Sequence, residues 1–255
     1  KLPAAHCLTY EQGECRVQRY WTPEFQTTPR SGFDEMTATL KTTLKSGVEH
    51  AIGSGQNVGA FLSGGLDSST VVGMLAEISG GEAQAFSIGF DAPGYDEMPF
   101  ARATAEHFGV KLHEYYVTPE DVVTALPIVA TSYDEPFGNS SALPAYFCAK
   151  LAAENGISRL LAGDGGDEIF AGNERYARQR VFNRYLHLPG TFREYVLEPV
   201  LKAVPTGLPL VKKAISYIDQ ANTPLPDRLQ SYNFLHRHDA AMMFNGDFLQ
   251  QVNVD

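Results

Sequence analysis

Apolar and polar positions along the middle of the chain follow two patterns, short buried runs and longer helical stretches, which succeed one another repeatedly. They predict strands at 58–62, 83–90, 111–117 and 158–162, and helices at 33–52, 68–78, 96–108, 119–133 and 141–156. Strands that alternate with helices form parallel sheets through right-handed crossovers, so helices are expected on both faces. The predicted fold class is α/β, with a doubly wound, mostly parallel sheet that binds ligands at the carboxyl ends of its strands.

The chain on either side of this region has a different pattern. Residues 1–30 contain short alternating pieces around Gly13, which predict a small hairpin or an arm, followed by a proline-containing linker. Beyond Phe170 no strand is predicted. A mostly helical extension is expected there, with helices near 193–204, 211–221 and 226–244. Pro127 is expected to kink or restart the fourth predicted helix of the sheet region.

Composition narrows the function classes. The 255 residues are 44% hydrophobic, which suits an enzyme-sized globular unit. The net charge of -10 argues against a general binder of nucleic acid or membrane surfaces, because both are anionic. The three cysteines form no Cys-x-x-Cys pair and no secretory segment is present, so a reducing cytoplasm is the expected compartment. No apolar run approaches the ~18 residues that a bilayer crossing requires.

A glycine-rich turn joins the first predicted strand to its helix: Leu62-Ser63-Gly64-Gly65-Leu66-Asp67-Ser68-Ser69. Two glycines let the backbone approach a ligand closely, and the amides of a helix start favour an anion, so the turn suits phosphate. No lysine accompanies it, which excludes a Walker A loop, and Asp67 makes Mg²⁺ the expected source of positive charge. The alternative is an ordinary turn in which Asp67 complements the helix dipole.

A second glycine-rich turn follows the fourth predicted strand. Asp164, Asp167 and Glu168 lie within five residues, next to Gly163, Gly165 and Gly166. Three neighbouring carboxylates repel one another unless a cation is present, so a divalent metal is the favoured interpretation. A solvated acidic turn that caps a helix is the alternative. Because both turns follow strand carboxyl ends, the fold should bring them together in one crevice.

Four phrases together resemble a known family. They are Leu62 to Ser69, Phe86-Ser87-Ile88-Gly89-Phe90 with Tyr95-Asp96-Glu97, Asp134-Glu135-Pro136-Phe137, and Leu161 to Gly172. Their order and spacing are similar to the synthetase domain of glutamine-hydrolysing asparagine synthetases of the B type, within the N-type ATP pyrophosphatases, also called PP-loop enzymes. The resemblance implies a Rossmann-like synthetase domain at 31–255. It also implies that residues 1–30 are the exit of an upstream glutaminase domain, the source of ammonia.

The resemblance also implies the chemistry. ATP and Mg²⁺ would be used to adenylate a carboxylate, most simply the aspartate side chain, with release of pyrophosphate, and ammonia would then displace AMP. By family match, Asp67 and Asp167 would bind the metal and Asp164 would be catalytic. The nucleotide-binding positions would be Leu62, Ser63, Gly64, Gly65, Asp67, Ser68, Ile88, Ala162 and Gly163.

Several positions differ from the family pattern, so more than one carboxylate substrate is compatible with the sequence. Asp164 stands where the family carries a glutamate that helps deprotonate the amine, and Ala162 stands where a serine is usual. An amidotransferase or lactam-forming synthetase that uses another carboxylate is therefore one alternative, and a non-catalytic ATP-binding module is a second. Asp134 and Glu135 could face the amine or a metal, or cap the turn before Pro136. A homodimer is left open, and the family's lysine-rich phrase is not found before Asp255, so the segment alone is expected to be inactive.

Overall fold

The structure is a computed structural model that describes residues 2–24, 32–54, 57–91, 94, 96–134, 139–170, 172–204, 209–225, 227–230, 242 and 244–251. The chain divides into two compact units. The first is Lys1–Gly64 with Val71–Leu161, and the second is Gly65–Thr70 with Ala162–Asp255. The parallel sheet belongs to the first unit, and the second glycine turn and the helices that follow it belong to the second.

The secondary structure follows the predicted alternation. The elements are β1 (His6–Glu11), β2 (Glu14–Arg19), α1 (Phe33–Ile52), β3 (Val58–Phe61), α2 (Leu66–Ser79), β4 (Gln84–Phe90), α3 (Met98–Phe108), β5 (Lys111–Val117), α4 (Pro119–Ser132), α5 (Ala142–Glu154), β6 (Arg159–Leu161), α6 (Gly166–Phe170), α7 (Glu174–Leu186), α8 (Gly190–Phe192), a π-helical turn (Arg193–Leu197), α9 (Glu198–Ala203), α10 (Pro209–Asn222), α11 (Asp227–Gln230) and α12 (Gly246–Gln251).

Strands β3 to β6 form one parallel sheet in the order β5-β4-β3-β6. The chain moves outward from β3 to β4 and β5, then returns to place β6 on the other side of β3. The direction of strand succession therefore reverses between β3 and β6. In open α/β sheets such a reversal marks the crevice in which ligands bind.

Helices cover both faces of the sheet, which confirms the doubly wound α/β prediction. Side chains alternate between the faces: Ala85 of β4 packs in the cluster that contains α1, α2 and α3, and the neighbouring Phe86 packs against α5. Val117 at the end of β5 joins α4 and α5 on that second face. Both Ala85 and Phe86 are fully buried, as expected for a central strand of a parallel sheet.

The N-terminal hairpin is also confirmed. Strands β1 and β2 pair antiparallel, with Glu11 opposite Glu14, so Gln12 and Gly13 form a two-residue turn. Both turn residues have positive φ, which is typical of the type I′ turns that suit the twist of a hairpin.

Two helical predictions need correction. The helix around Pro127 neither ends nor restarts there, because α4 runs unbroken and buries Ala125 and Val129 on either side of the proline. Packing of those residues outweighs one missing backbone hydrogen bond. Helix α7 was not among the predicted helices of the extension. The predicted helix near 226–244 begins with α11, but most of its length lies outside the described residues.

In the second unit, α7 and α10 pack together, with the rings of Phe182 and Tyr217 5.5 Å apart. The buried Arg228 guanidinium of α11 contacts both helices, since it donates to the carbonyls of Ala221 and Thr223, each at 2.8 Å, and to Gln179 Oε1 of α7 at 3.4 Å. A buried arginine is tolerated when its donors are satisfied in this way. The helical extension therefore has a small core of its own.

Candidate functional site

The two glycine-rich turns follow adjacent strands. β3 and β6 pair with Ala60 opposite Leu161, so their carboxyl ends lie side by side where the strand order reverses. The first turn begins directly after β3 and the second directly after β6. Ligands of open α/β sheets bind at the carboxyl ends of the strands where the strand order reverses, and β3 and β6 of the sheet unit are the strands at that reversal.

The first part of the first turn lies in the sheet unit. The buried Leu62 extends the ladder, since its amide donates to the carbonyl oxygen of Phe86 at 2.9 Å. Ser63 is exposed, and Gly64 follows with φ +82°. A Cβ at Gly64 would fall on the Cβ of Phe100 and lie 2.7 Å from the amide nitrogen of Ala101. Glycine is required here both by the backbone conformation and by the close approach of α3.

The rest of the turn, Gly65 to Thr70, belongs to the second unit and starts helix α2. The Ser68 hydroxyl donates to the carbonyl of Gly65 at 3.2 Å, and the Ser69 amide donates to the same carbonyl at 3.0 Å. This tightens the entry to a helix of 14 residues. Such a helix start presents backbone amides and the positive end of a dipole, a combination that favours anions.

The Asp67 side chain lies directly against the second glycine turn. A Cβ at Gly163 would be 2.9 Å from the Cβ of Asp67 and 2.9 Å from the amide nitrogen of Ser68. A Cβ at Gly166 would fall on the Asp67 carboxylate itself. No larger residue fits at either position without moving Asp67, so the Asp67 end of the first turn is in contact with the second turn.

Asp67 and Asp167 are the two carboxylates that the sequence predicts as metal ligands. Both are half-buried and lie in the first turns of α2 and α6, and Asp167 directly follows the glycine that contacts Asp67. Among the described residues, no ion pair forms with either carboxylate. Nor does any group of three His, Cys, Asp or Glu side chains capable of holding a metal occur in that part of the chain. Two unneutralised carboxylates fit Mg²⁺, which completes its shell with water and substrate phosphates.

The remaining predicted residues occupy different positions. Ala162 and Asp164 are exposed in the second unit, and Gly163 accepts a turn hydrogen bond from the Gly166 amide at 3.2 Å. Ile88 lies in β4 of the sheet unit, opposite Tyr115 of β5. Asp134 is exposed at the end of α4, and Glu135 lies outside the described residues.

One part of the site was missed from sequence. Glu168 Oε1 accepts hydrogen bonds from the Tyr176 hydroxyl at 2.9 Å and from the Arg175 guanidinium at 3.4 Å. These contacts link the acidic turn to the first residues of α7. Asn173 is the sequence signal that could have predicted the start of α7, because asparagine is a preferred N-cap residue. In the structure it accepts a hydrogen bond from the Arg175 amide and caps α7.

Cysteine chemistry is not available beside the first turn. The Cys148 thiol is buried and donates to the Phe86 carbonyl, the acceptor that also receives the Leu62 amide. Burial raises the pKa of Cys148 to about 12, so it stays protonated. In the described ranges no helix has both the length and the apolar character needed to cross a membrane.

Two relatives named as asparagine synthetases are similar to most of the chain. The chain is 34% identical over 219 residues to a Methanocaldococcus jannaschii protein provisionally named asparagine synthetase (glutamine-hydrolyzing) 2, covering 83% of this chain and 39% of that protein. It is 27% identical over 226 residues to asparagine synthetase (glutamine-hydrolyzing) 1 of Bacillus subtilis, covering 89% of this chain and 34% of that one. It therefore spans little more than a third of either relative.

A solved structure that overlaps the chain is the NH3-dependent NAD synthetase of Campylobacter jejuni. The sequence identity is 10%, with 84% of this chain and 91% of that one covered, and the TM-score is 0.34. The profile of the asparagine synthase family matches residues 39–251, a span that includes both glycine turns and the helices after them. The chain belongs to the asparagine synthase family.

Proposed function

We propose that this chain is the ATP-dependent, amide-forming part of an asparagine synthetase. It would join the aspartate side-chain carboxylate to ammonia, with cleavage of ATP to AMP and pyrophosphate. The observation that carries the proposal is the contact of Asp67 with Gly163 and Gly166. That contact joins an anion-binding helix start to an acidic turn, which is the combination that a metal–polyphosphate ligand requires.

The first step would form the acyl-adenylate. A carboxylate oxygen attacks the α-phosphorus of ATP, and the bond to the bridging oxygen breaks, so pyrophosphate leaves with the electron pair. Its developing charge would be stabilised by the backbone amides at Gly64 and Gly65, by the hydroxyls of Ser63 and Ser68, and by the α2 dipole. Asp67 and Asp167 would hold Mg²⁺, which supplies positive charge to the phosphate oxygens.

Adenosine would be bound by main-chain groups. Leu62, Ile88, Ala162 and Gly163 are at or near the carboxyl ends of β3, β4 and β6. Backbone N–H and C=O groups can pair with adenine edges without a polar side chain. In the second step, the nitrogen of ammonia attacks the acyl carbon. AMP leaves with the carboxylate oxygen that had attacked phosphorus, and a proton is lost from nitrogen. The exposed Asp164 carboxylate would accept that proton.

The glutamine-dependent supply of ammonia is a separate proposal. Residues 1–30 would be the end of a glutaminase domain that delivers ammonia to this site, and residues 31–255 would be the synthetase region. The relatives named as glutamine-hydrolysing support it, although this chain spans 39% and 34% of their lengths.

The test is a product analysis. The full-length protein is incubated with ATP, Mg²⁺, ammonium and a set of carboxylic acids that includes aspartate, and nucleotide products are separated by chromatography. The proposal requires AMP and pyrophosphate in equal amounts, with asparagine as the amide. A different amide would indicate a related amidotransferase, and ADP with phosphate would exclude this chemistry. Binding of Mg-ATP without AMP for any carboxylate would favour a nucleotide-binding module.

A further inference from the structure

Helix α3 forms the surface against which the first glycine turn bends. A Cβ at Gly64 would lie on the Phe100 side chain and 2.7 Å from the main-chain carbon of Phe100 and the nitrogen of Ala101. The Phe100 side chain is 65% exposed, but Ala101 is fully buried, so the α3 backbone at Ala101 is held in the core beside the turn. The path of the turn at Gly64 is therefore determined by where α3 lies.

Tyr116 connects the start of α3 to strand β5. Its hydroxyl donates to Asp96 Oδ2 at 3.1 Å, and Asp96 Oδ1 accepts from the amide of Met98 at 3.2 Å. Met98 is the first residue of α3, and a helix leaves its first amides without partners inside the helix. Asp96 thus joins a strand side chain to the beginning of the helix.

A second connection lies one turn further along α3. The Arg102 guanidinium donates to both oxygens of Glu114 in β5, from Nε at 2.9 Å and from Nη2 at 2.6 Å. Bidentate pairs of this kind fix direction as well as distance. Glu114 and Tyr116 are two residues apart and so lie on the same face of β5. On α3, the two connections fall on either side of Phe100 and Ala101.

The Tyr116 ring has little freedom to move. It lies over Gly89 of β4, where a Cβ would be 2.6 Å from the ring carbon Cε1. The register places Gly89 directly opposite Tyr116 in the β4–β5 pair. A ring packed on backbone with its hydroxyl hydrogen-bonded holds a fixed distance between β5 and Asp96.

We propose that Tyr116 and Glu114 are positioning residues for the nucleotide loop: through Asp96 and Arg102 they hold α3 where it shapes the turn at Gly64. The ligand in this inference, Mg-ATP, rests on the proposed function, but the effect on loop order does not. The hydroxyl of Tyr116 acts through α3 and does not touch the nucleotide.

Tyr115 offers a matched control. It is the adjacent residue of β5, and its hydroxyl donates to Asp121 at 3.0 Å. Asp121 belongs to the capping box of α4, a helix on the opposite face of the sheet from α3. Tyr115→Phe and Tyr116→Phe therefore each remove one tyrosine–aspartate hydrogen bond at a helix start, and only the second concerns the helix that contacts Gly64.

The experiment measures amide hydrogen exchange in both variants and in the parent chain, together with the calorimetric Kd for Mg-ATP. For Tyr116→Phe we expect exchange in the peptides that contain 62–66 and 98–101 to quicken by about threefold to tenfold, the usual worth of one hydrogen bond. The Kd for Mg-ATP should rise by about the same factor. Glu114→Gln should act in the same direction, and Tyr115→Phe should leave these peptides and the Kd unchanged.

Two results would overturn the inference. One is equal exchange at 62–66 in Tyr115→Phe and Tyr116→Phe. The other is an increase in Tyr116→Phe that is spread evenly over all peptides, which would indicate general destabilisation. If the parent chain binds no Mg-ATP, the proposed function fails, and the exchange data still decide the positioning role.

Discussion

Replacement of Gly166 by alanine tests the contact on which the site depends. The added methyl group would fall on the Asp67 carboxylate, which must move by on the order of 1 Å to reach ordinary van der Waals contact. A displacement of that size at a reacting centre costs about 10²-fold in rate. Gly166 is the first residue of α6 and has no positive φ, so alanine should not strain the backbone there. We therefore expect lower Mg-ATP affinity and turnover with a nearly unchanged melting temperature.

Two further alanine variants separate the steric clash with Asp67 from backbone strain and from the general effect of an added methyl group. Gly165 has φ +90° and open space around its Cβ position, so Gly165→Ala strains the backbone without touching Asp67. Gly47 lies in α1 with open space and serves as the neutral control. Titration calorimetry with Mg-ATP is the assay. Parent-like affinity in Gly166→Ala, or an equal loss in all three variants, would refute the assigned contact between the two turns.

Asp67→Asn and Asp167→Asn should each weaken ATP binding strongly in the presence of Mg²⁺ and much less in EDTA, because each removes one charge from the proposed metal site. If calorimetry shows equal losses of affinity in both media, the metal assignment is wrong. Arg159→Met should lower the free energy of unfolding by about 1 kcal/mol in urea titrations, since its guanidinium donates to the last carbonyls of α1, and an unchanged midpoint would refute that capping role. The Arg102 guanidinium lowers the pKa of the Glu114 carboxyl, so this pair stabilises the fold above the ordinary carboxyl pKa and the contribution is lost as pH falls through the lowered value. The difference in unfolding free energy between the parent and Glu114→Gln should therefore become smaller in acid. A difference that does not change with pH would contradict a stabilising Arg102–Glu114 pair.

Local signals predicted most of the fold. Gly53 follows the end of α1, and the alternation at Lys111–Val117 matches β5 at both ends. The parallel direction of the strands followed from strand–helix alternation, because a crossover helix joins parallel strands. The order β5-β4-β3-β6 was not predicted, since alternation alone does not determine which strands pair. Where two forces compete, local signals fail: burial on both sides of Pro127 kept α4 continuous against the preference of proline to end a helix.

The contents of the site were predicted less completely. Asp67 and Gly166 were each identified, because glycine and aspartate in such turns have few roles. Their direct contact depends on the pairing of β3 with β6, which are far apart in the sequence. In the same way, the close approach of Phe100 to Gly64 depends on the packing of α3. The hydrogen bond from Tyr176 to Glu168 is likewise a tertiary contact without a sequence periodicity.

In the proposed reaction, ATP is cleaved by attack of a carboxylate oxygen on its α-phosphorus. The full-length protein is incubated with ATP, Mg²⁺, ammonium and aspartate labelled with ¹⁸O in its side-chain carboxylate, and the AMP formed is weighed by mass spectrometry. Because the second step leaves the attacking oxygen on phosphorus, we expect one ¹⁸O atom in each AMP molecule formed with asparagine. Unlabelled AMP, or ADP in its place, would contradict it.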